Sequence, residues 1–172
     1  MRTILFDAVL LLAGGAFGAV ILVPADQPTI AAAIAVSTAI DQIEIAPGTY
    51  TESNLVISHD LTIRSPYGTD PSLCVVQAAP TPGTATNRVF AVIAGRVTID
   101  GLTIRNGGGT VHGAGVGAGG GTILSLSNCR IVDNRTTSGN GGGVYSTNGY
   151  LSLWQCTVSG NTSTGNGGGV SV

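Results

Sequence analysis

The chain has 172 residues, a net charge of −2 and only 9% charged residues, well below the ~25% usual for soluble domains. All seven basic residues are Arg, and this weakly acidic balance has nothing to attract a phosphate backbone, so we expect no nucleic-acid partner. One architectural signal over this length predicts a single domain. Three cysteines, Cys74, Cys129 and Cys156, are too few for a disulfide framework.

The N-terminal stretch has the features of a secretory signal peptide. Arg2 supplies a short basic region, residues 8–19 form an apolar run, and residues 16–18 provide the small residues that a signal peptidase recognises. We predict a signal peptide over residues 1–19, and therefore a secreted or cell-surface protein. A retained anchor is the alternative. The uncharged run 8–23 has 16 residues, short of the ~20 that span a bilayer, which disfavours the anchor. We expect no membrane contact beyond the signal peptide.

A short helix is predicted next, near residues 29–37. Ile30, Ala33 and Ile34 have helical spacing, and Thr29 suits the first position of a helix. We expect this helix to cover the apolar end of the fold that follows, because a solenoid needs a cap over its open core.

Short apolar runs then predict β-strands. Residues 42–50 predict one strand and a Pro-Gly turn. The two Pro and the Gly between residues 78 and 87 predict a loop. Further short strands are predicted, in chain order, at residues 55–57, 61–63, 74–76 and 89–92.

From Val97 onward the sequence repeats. Four apolar residues at relative positions 1, 3, 6 and 8 recur from Val97, Leu124 and Leu151, in steps of 27 residues. A fixed period of this size indicates a solenoid. A two-residue corner between the apolar pairs keeps both pairs pointing inward, and Gly and Asn tolerate the left-handed backbone that such a bend needs. The corners are Asp100-Gly101, Ser127-Asn128 and Trp154-Gln155, and wider turns are predicted at the Asn-Gly-Gly-Gly runs 106–109, 140–143 and 166–169.

Strand pairing between successive coils follows from this pattern. An extended stretch of 27 residues is roughly 90 Å long, and corners can wrap it once round to finish ~4.8 Å above its start. Leu126 is then predicted to stack between Ile99 and Leu153. The leucine-rich repeat is the rival fold, but Gly121 and Asn148 stand where it requires Leu, and its helices cannot form from Gly-rich segments.

Several segments resemble right-handed parallel β-helix proteins of the pectin-lyase-like fold. Residues 24–30, the short helix and residues 46–50 are similar to the N-terminal cap and first coil of secreted members. Residues 142–144 and 158–161 are similar to the paired GGA[IV] and FxxN repeats of polymorphic outer-membrane adhesins, although Val158 stands where that family has Phe. The resemblance implies an all-β, single-stranded right-handed parallel β-helix over residues 20–172, with about 26–27 residues per regular coil and a short N-terminal capping helix.

The sequence ends at Val172, just after the third Gly-Gly-Gly-Val. We expect an uncapped last coil, a chain that is a fragment of a longer protein, and end-to-end self-association through the open edge.

Family enzymes that cleave uronic-acid polysaccharides typically combine calcium-binding Asp residues with a basic side chain. On that resemblance, Asp60, Asp100 and Arg105 are the candidate catalytic residues here. The carboxylates do not fall in one column of the predicted register, and we favour solvent-facing charges near strand ends. His59 and His112 lack neighbouring ligands in the sequence, and we expect no metal and no cofactor.

Trp154 is the single tryptophan, and the register places it outside the core above Ser127 and Asp100. An exposed ring on a polar β-face could stack on a sugar, so these three residues are the candidate ligand-binding set. The alternative is a ring folded over its own corner, covering apolar surface.

Cys129 and Cys156 are predicted to stack one coil apart, with Cα atoms ~4.8 Å from each other. That distance permits a disulfide, but parallel side chains disfavour it, and we expect buried thiols.

Two functions remain open at this point. We favour a non-catalytic, adhesin-like or scaffold domain, secreted or at the cell surface, that contacts a polysaccharide or cell-surface glycan. The alternative is a polysaccharide lyase or glycoside hydrolase of pectin-lyase-like fold, with catalytic residues weakly represented here or beyond this chain.

Overall fold

A computed structural model describes residues 18–172 of the chain, and within them finds sixteen β-strands and one α-helix. The elements are, in chain order, β1 (Val20–Val23), α1 (Ile30–Val36), β2 (Asp41–Ile45), β3 (Gly48–Thr51), β4 (Leu55–Ile57), β5 (Leu61–Arg64), β6 (Cys74–Gln77), β7 (Phe90–Val92), β8 (Arg96–Asp100), β9 (Thr103–Arg105), β10 (Val116–Ala118), β11 (Ile123–Ser127), β12 (Arg130–Val132), β13 (Val144–Ser146), β14 (Tyr150–Trp154), β15 (Thr157–Ser159) and β16 (Val170–Ser171).

The strands form three sheets in which all pairing is parallel. Sheet A has the order β1-β2-β5-β8-β11-β14, sheet B the order β3-β6-β9-β12-β15, and sheet C the order β4-β7-β10-β13-β16. From β2 onward, consecutive strands enter sheets A, B and C in strict rotation. We call each such set of three consecutive strands a repeat; each strand pairs with its equivalent in the next repeat.

One apolar core receives side chains from all three sheets and from α1. Every second side chain of a strand points to the same face of its sheet, and the inward ones form this core. In sheet A, Leu126 pairs in register with Ile99 on one side and Leu153 on the other, which confirms the predicted stack. Leu126 is 1% exposed, so its side chain contributes fully to the hydrophobic stabilisation.

Left-handed corners recur at equivalent positions. Gly101, Asn128 and Gln155 have φ angles of 70°, 51° and 51° and directly follow β8, β11 and β14. These are the corners predicted from the sequence. Each lets the chain leave sheet A and enter sheet B two residues later while both apolar pairs still face the core.

Helix α1 is tied to the sheets at its N-terminus. Thr29 Oγ1 accepts a hydrogen bond from the Ala32 amide (3.0 Å), and the Glu52 carboxylate accepts from the amides of Ile30 and Ala31 (2.9 Å each). These bonds satisfy amides that have no partner within the helix. Ile30 is fully buried, and α1 packs against β1, β2 and β4.

Asparagine side chains bridge adjacent repeats between sheets B and C. Asn134 Nδ2 donates to the Ile104 carbonyl (3.1 Å) and to Asn161 Oδ1 (2.9 Å), and its Oδ1 accepts from the Gly107 amide (2.8 Å). Asn161 repeats part of this pattern, donating to the Ile131 carbonyl at 2.7 Å. Asn134 is fully buried, so its side chain supplies the hydrogen bonds that the backbone groups at this turn need.

The first part of the chain departs from the sequence prediction. Residues 42–50, predicted as one strand and a Pro-Gly turn, belong to β2 in sheet A and β3 in sheet B, because the chain re-enters a strand directly after the corner at Ala46 and Pro47. Strand β1 was not predicted. It pairs with β2 from Val20↔Gln42 to Val23↔Ile45.

The predicted signal peptide, residues 1–19, lies outside the described residues except for its last two positions. Between residues 18 and 172, no helix has the length and apolar character needed to cross a bilayer.

Shortening Leu126 to Ala should lower the free energy of unfolding by about 2–5 kcal/mol, because the in-register neighbours cannot close the cavity completely. Urea unfolding followed by circular dichroism would measure this. The matched control is Ser125→Ala, one residue away and pointing outward, which should change stability by less than about 0.5 kcal/mol. Equal effects of the two substitutions would contradict the assigned core face.

Asp41 predicts a pH dependence of stability. Its carboxylate accepts hydrogen bonds from the Thr38 amide (2.7 Å), the Ala19 amide (2.7 Å) and the Thr38 hydroxyl (2.9 Å), and these bonds lower the pKa of Asp41 below its ordinary 3.8. A lowered pKa gives stability that is present above about pH 4 and is lost as pH falls through the folded-state pKa. Asp41→Asn should therefore be less stable than the wild type at pH 7, and the difference should shrink as the pH falls below about 4 and through the folded-state pKa of Asp41. Thermal unfolding from pH 2.5 to pH 7 would test this, and a constant difference would count against it.

Candidate functional site

The outer face of sheet A is polar where β8, β11 and β14 lie side by side. The inward residues of these strands belong to the core or pack against it, apart from Leu153 on the last strand, which is 38% exposed. The central outward row is Thr98, Ser125 and Ser152, paired in register across the three strands. Short hydroxyl side chains leave this part of the face flat and rich in hydrogen-bonding groups.

Two aromatic rings stand on this face at the two ends of β14. Trp154 is 67% exposed and Tyr150 is 63% exposed. They are four residues apart in one strand, so both side chains point outward, with Cα atoms about 13 Å apart and Ser152 between them. Trp154 is in register with Ser127, and Ser127 with Asp100, as the sequence predicted.

Asp100 organises the corner beneath Trp154. Its Oδ1 accepts hydrogen bonds from Ser127 Oγ (2.6 Å) and from Asn128 Nδ2 (2.8 Å). A carboxylate that accepts two such bonds holds the corner of the next repeat in place. Asp100, Ser127 and Trp154 are thus neighbours on three adjacent strands.

An ion pair extends the outward row of Asp100, Ser127 and Trp154 toward the N-terminal strands of sheet A. Arg64 Nη2 donates to Glu44 Oε2 at 2.8 Å, the one ion pair among residues 18–172. The Arg64 side chain is 44% exposed, so the pair contributes little stability. In register along sheet A, the row reads Glu44, Arg64, Asp100, Ser127 and Trp154.

The three candidate catalytic residues do not come together. Asp60 precedes β5, and its Oδ1 accepts from the Arg96 amide (2.8 Å), at the opposite end of β8 from Asp100. Arg96 and Asp100 are four residues apart in β8, with Cα atoms about 13 Å from each other, and Asp60 lies at the Arg96 end. Arg105 lies in sheet B, where Nε donates to Gln77 Oε1 at 2.9 Å. Inverting hydrolysis uses two carboxyl groups about 6.5–9.5 Å apart on one face, and Asp60 and Asp100 are not so arranged.

The two histidines are also separate. His59 Nε2 lies 3.0 Å from Ser37 Oγ, and His112 Nδ1 accepts from the Asn140 amide at 2.9 Å while its ring packs 4.6 Å from the Tyr145 ring. Over residues 18–172, no group of three or more His, Cys, Asp or Glu side chains is placed to hold a metal ion.

A cleft of about 340 Å³ lies near β1 and β2, away from Trp154. Its lining is mainly apolar and includes Leu22, Pro24, Pro47 and Tyr67. None of the candidate catalytic or ligand-binding residues lines it.

The three cysteines carry free thiols. Cys74 and Cys129 are buried, and Cys156 is partly buried. The neighbouring Cys156 thiol, together with burial, raises the pKa of Cys129 well above its ordinary 9.0, and the neighbouring Cys129 thiol lowers the pKa of Cys156 to about 6. The expected stacking of Cys129 and Cys156 is present, because Arg130 and Thr157, the residues that follow them, pair in register.

Sequence reasoning missed Tyr150. The signal was available, because Tyr150 has the same strand parity as Trp154 in the pattern that begins at Leu151. It was overlooked because it precedes the first apolar residue of the repeat, at a position where β8 has Arg96 and β11 has Ile123.

Comparisons of the chain with family models, with curated proteins and with solved structures find no match.

Proposed function

We propose that sheets A, B and C are the three faces of one right-handed parallel β-helix. The strict rotation of strands among the sheets and the shared apolar core support a continuous winding. The right hand rests on the general rule that parallel crossover connections are right-handed in about 98% of cases. The spacings of 27 residues between Ile99, Leu126 and Leu153 agree with one turn per regular repeat.

On this fold, we propose a non-catalytic domain, secreted or at the cell surface, that contacts a polysaccharide or cell-surface glycan through the outer face of sheet A. The features of a signal peptide in residues 1–19 support export. An adhesin-like or scaffold role fits this face, since its central row of Thr98, Ser125 and Ser152 presents hydroxyl groups to solvent.

The observation that carries the proposal is the pair of exposed rings, Trp154 and Tyr150, on one face of β14. The apolar C–H face of a pyranose stacks on an aromatic ring, and the hydroxyl groups at its rim can bond to Ser152 and its in-register neighbours. The Cα atoms that carry the two rings are about 13 Å apart, which is farther than one sugar is wide. The pair therefore favours an oligosaccharide over a monosaccharide.

The enzyme alternative has less support in this chain. Asp60, Asp100 and Arg105 lie at three separate places, and Asp100 Oδ1 is already engaged by Ser127 and Asn128. A lyase or hydrolase would therefore need residues other than this set.

Affinity electrophoresis through gels containing neutral and uronic-acid polysaccharides would test the proposal. The wild type should be retarded by at least one polysaccharide. Trp154→Ala and Tyr150→Ala should each weaken that retardation at least about tenfold, equivalent to roughly 1.4 kcal/mol. Because both rings are exposed, the two variants should unfold within about 1 kcal/mol of the wild type.

Tyr67→Ala is the matched control, since Tyr67 is also an exposed ring, at 53%, but lies at the cleft away from β14. It should bind as the wild type does. Retardation unaffected by Trp154→Ala and Tyr150→Ala would contradict the proposed face. Release of unsaturated sugars that is lost with Asp60→Asn, Asp100→Asn or Arg105→Gln would favour the enzyme instead.

A further inference from the structure

Cys129 and Cys156 form a pair whose geometry is set by the pairing of successive repeats. The Thr157 amide donates to the Cys129 carbonyl at 2.9 Å, and Arg130 pairs with Thr157. In-register positions on adjacent parallel strands lie about 4.8 Å apart. The Cα atoms of the two cysteines are therefore separated by about this distance.

The two side chains have the same orientation. Cys129 Sγ lies 3.1 Å from the carbonyl of residue 127 and 3.5 Å from that of residue 99. Cys156 Sγ lies 3.4 Å from each of the carbonyls of residues 154 and 126. These are the same offsets, two and thirty residues back along the chain. One side chain is thus the other displaced by one repeat, which places the two sulfur atoms about 4.8 Å apart as well.

The separation of the two sulfur atoms is too long for a disulfide, although the Cα separation would permit one. The bond requires sulfur atoms about 2.05 Å apart and Cβ atoms about 3.5–4.5 Å apart. Ladder hydrogen bonds on both sides of the corner hold the Cβ atoms near 4.8 Å. Closing the bond would require the two repeats to approach each other locally, against that pairing.

The same spacing suits a metal ion between the sulfurs. Bonds from a thiolate to a d¹⁰ ion such as Zn²⁺ are about 2.3 Å long, so two of them in a line span about 4.6 Å. Soft thiolate ligands select soft ions. We propose that Cys129 and Cys156 are a two-coordinate binding site for a soft, linearly coordinated d¹⁰ cation, with mercuric ion as the best match in charge.

Charge decides between the candidate ions. Two thiols bind Hg²⁺ by releasing two protons to solvent, which gives a neutral bis-thiolate, whereas a monovalent ion would leave a net negative complex. Cys129 is 1% exposed, and burying a net charge there is costly. Cys156 is partly exposed in this chain, so an ion can reach the pair from that side. Zn²⁺ prefers four ligands in a tetrahedron and is excluded by the same geometry.

Cys74 provides a control inside the same column. It is in register with Leu102, which is in register with Cys129, so two repeats separate the two thiols. At about 9.6 Å, Cys74 cannot share an ion with Cys129.

Titration of the reduced chain with Hg²⁺ in the presence of excess free cysteine, followed by X-ray absorption spectroscopy, would test the site. The wild type and Cys74→Ala should retain one Hg²⁺ per chain with two sulfur ligands at about 2.3 Å. Cys156→Ser should retain Hg²⁺ roughly 100-fold less well against the competing thiol, because the chelate is lost. Cys156 is only partly buried, so this variant keeps the fold; Cys129→Ser gives a second test, with circular dichroism to verify folding. Zn²⁺ should not bind.

Three results would overturn the proposal. These are retention of Hg²⁺ by Cys156→Ser equal to that of the wild type, three or more ligands in the absorption spectrum, or loss of two thiols to an intramolecular disulfide on treatment with oxidised glutathione. The last result would show that the sulfur atoms approach closely. None of these measurements involves glycan binding, so the outcome is independent of the proposed function.

Discussion

In-register pairing of each strand with its equivalent one repeat later is the constraint on which the rest of the structure depends. It places residues 27 positions apart directly above one another, as with Ile99, Leu126 and Leu153. Apolar residues then stack on apolar residues, and every strand except those at the sheet ends has its backbone groups satisfied on both sides. Hydrophobic burial and backbone hydrogen bonds hold the chain together, which is why 9% charged residues are sufficient.

The same pairing also stacks the outward-facing residues of successive repeats into rows on the surface. A hydroxyl residue at one outward position has a hydroxyl residue above it, as with Thr98, Ser125 and Ser152. A left-handed corner likewise follows a left-handed corner, even where the residue is Gln155 and not Gly or Asn. Two stacked thiols are a further result of this repetition. The proposed glycan-binding face and the proposed ion site therefore have a common origin, although neither needs the other.

The regular repeats could be predicted from the sequence because their pattern recurs at a fixed spacing. The stack around Leu126, the corner at Asn128 and the exposure of Trp154 all followed from it. The earlier repeats are irregular: Ile43 pairs with Ile63, 20 residues away, and Ile63 with Ile99, 36 residues away. No period can be read across such steps. Strand β1 was hidden because its four residues continue the apolar run of the predicted signal peptide, and hydropathy does not distinguish the two.

Nuclear Overhauser effects between methyl groups of Ile99, Leu126 and Leu153 test the stacking most directly, in a sample with labelled Ile and Leu methyls. Side chains in adjacent repeats should lie about 4.8 Å apart and those two repeats apart about 9.6 Å. We expect strong effects from Leu126 to both Ile99 and Leu153, and a weak or absent effect between Ile99 and Leu153. A strong direct effect between Ile99 and Leu153, or none between Leu126 and Leu153, would contradict the stacking.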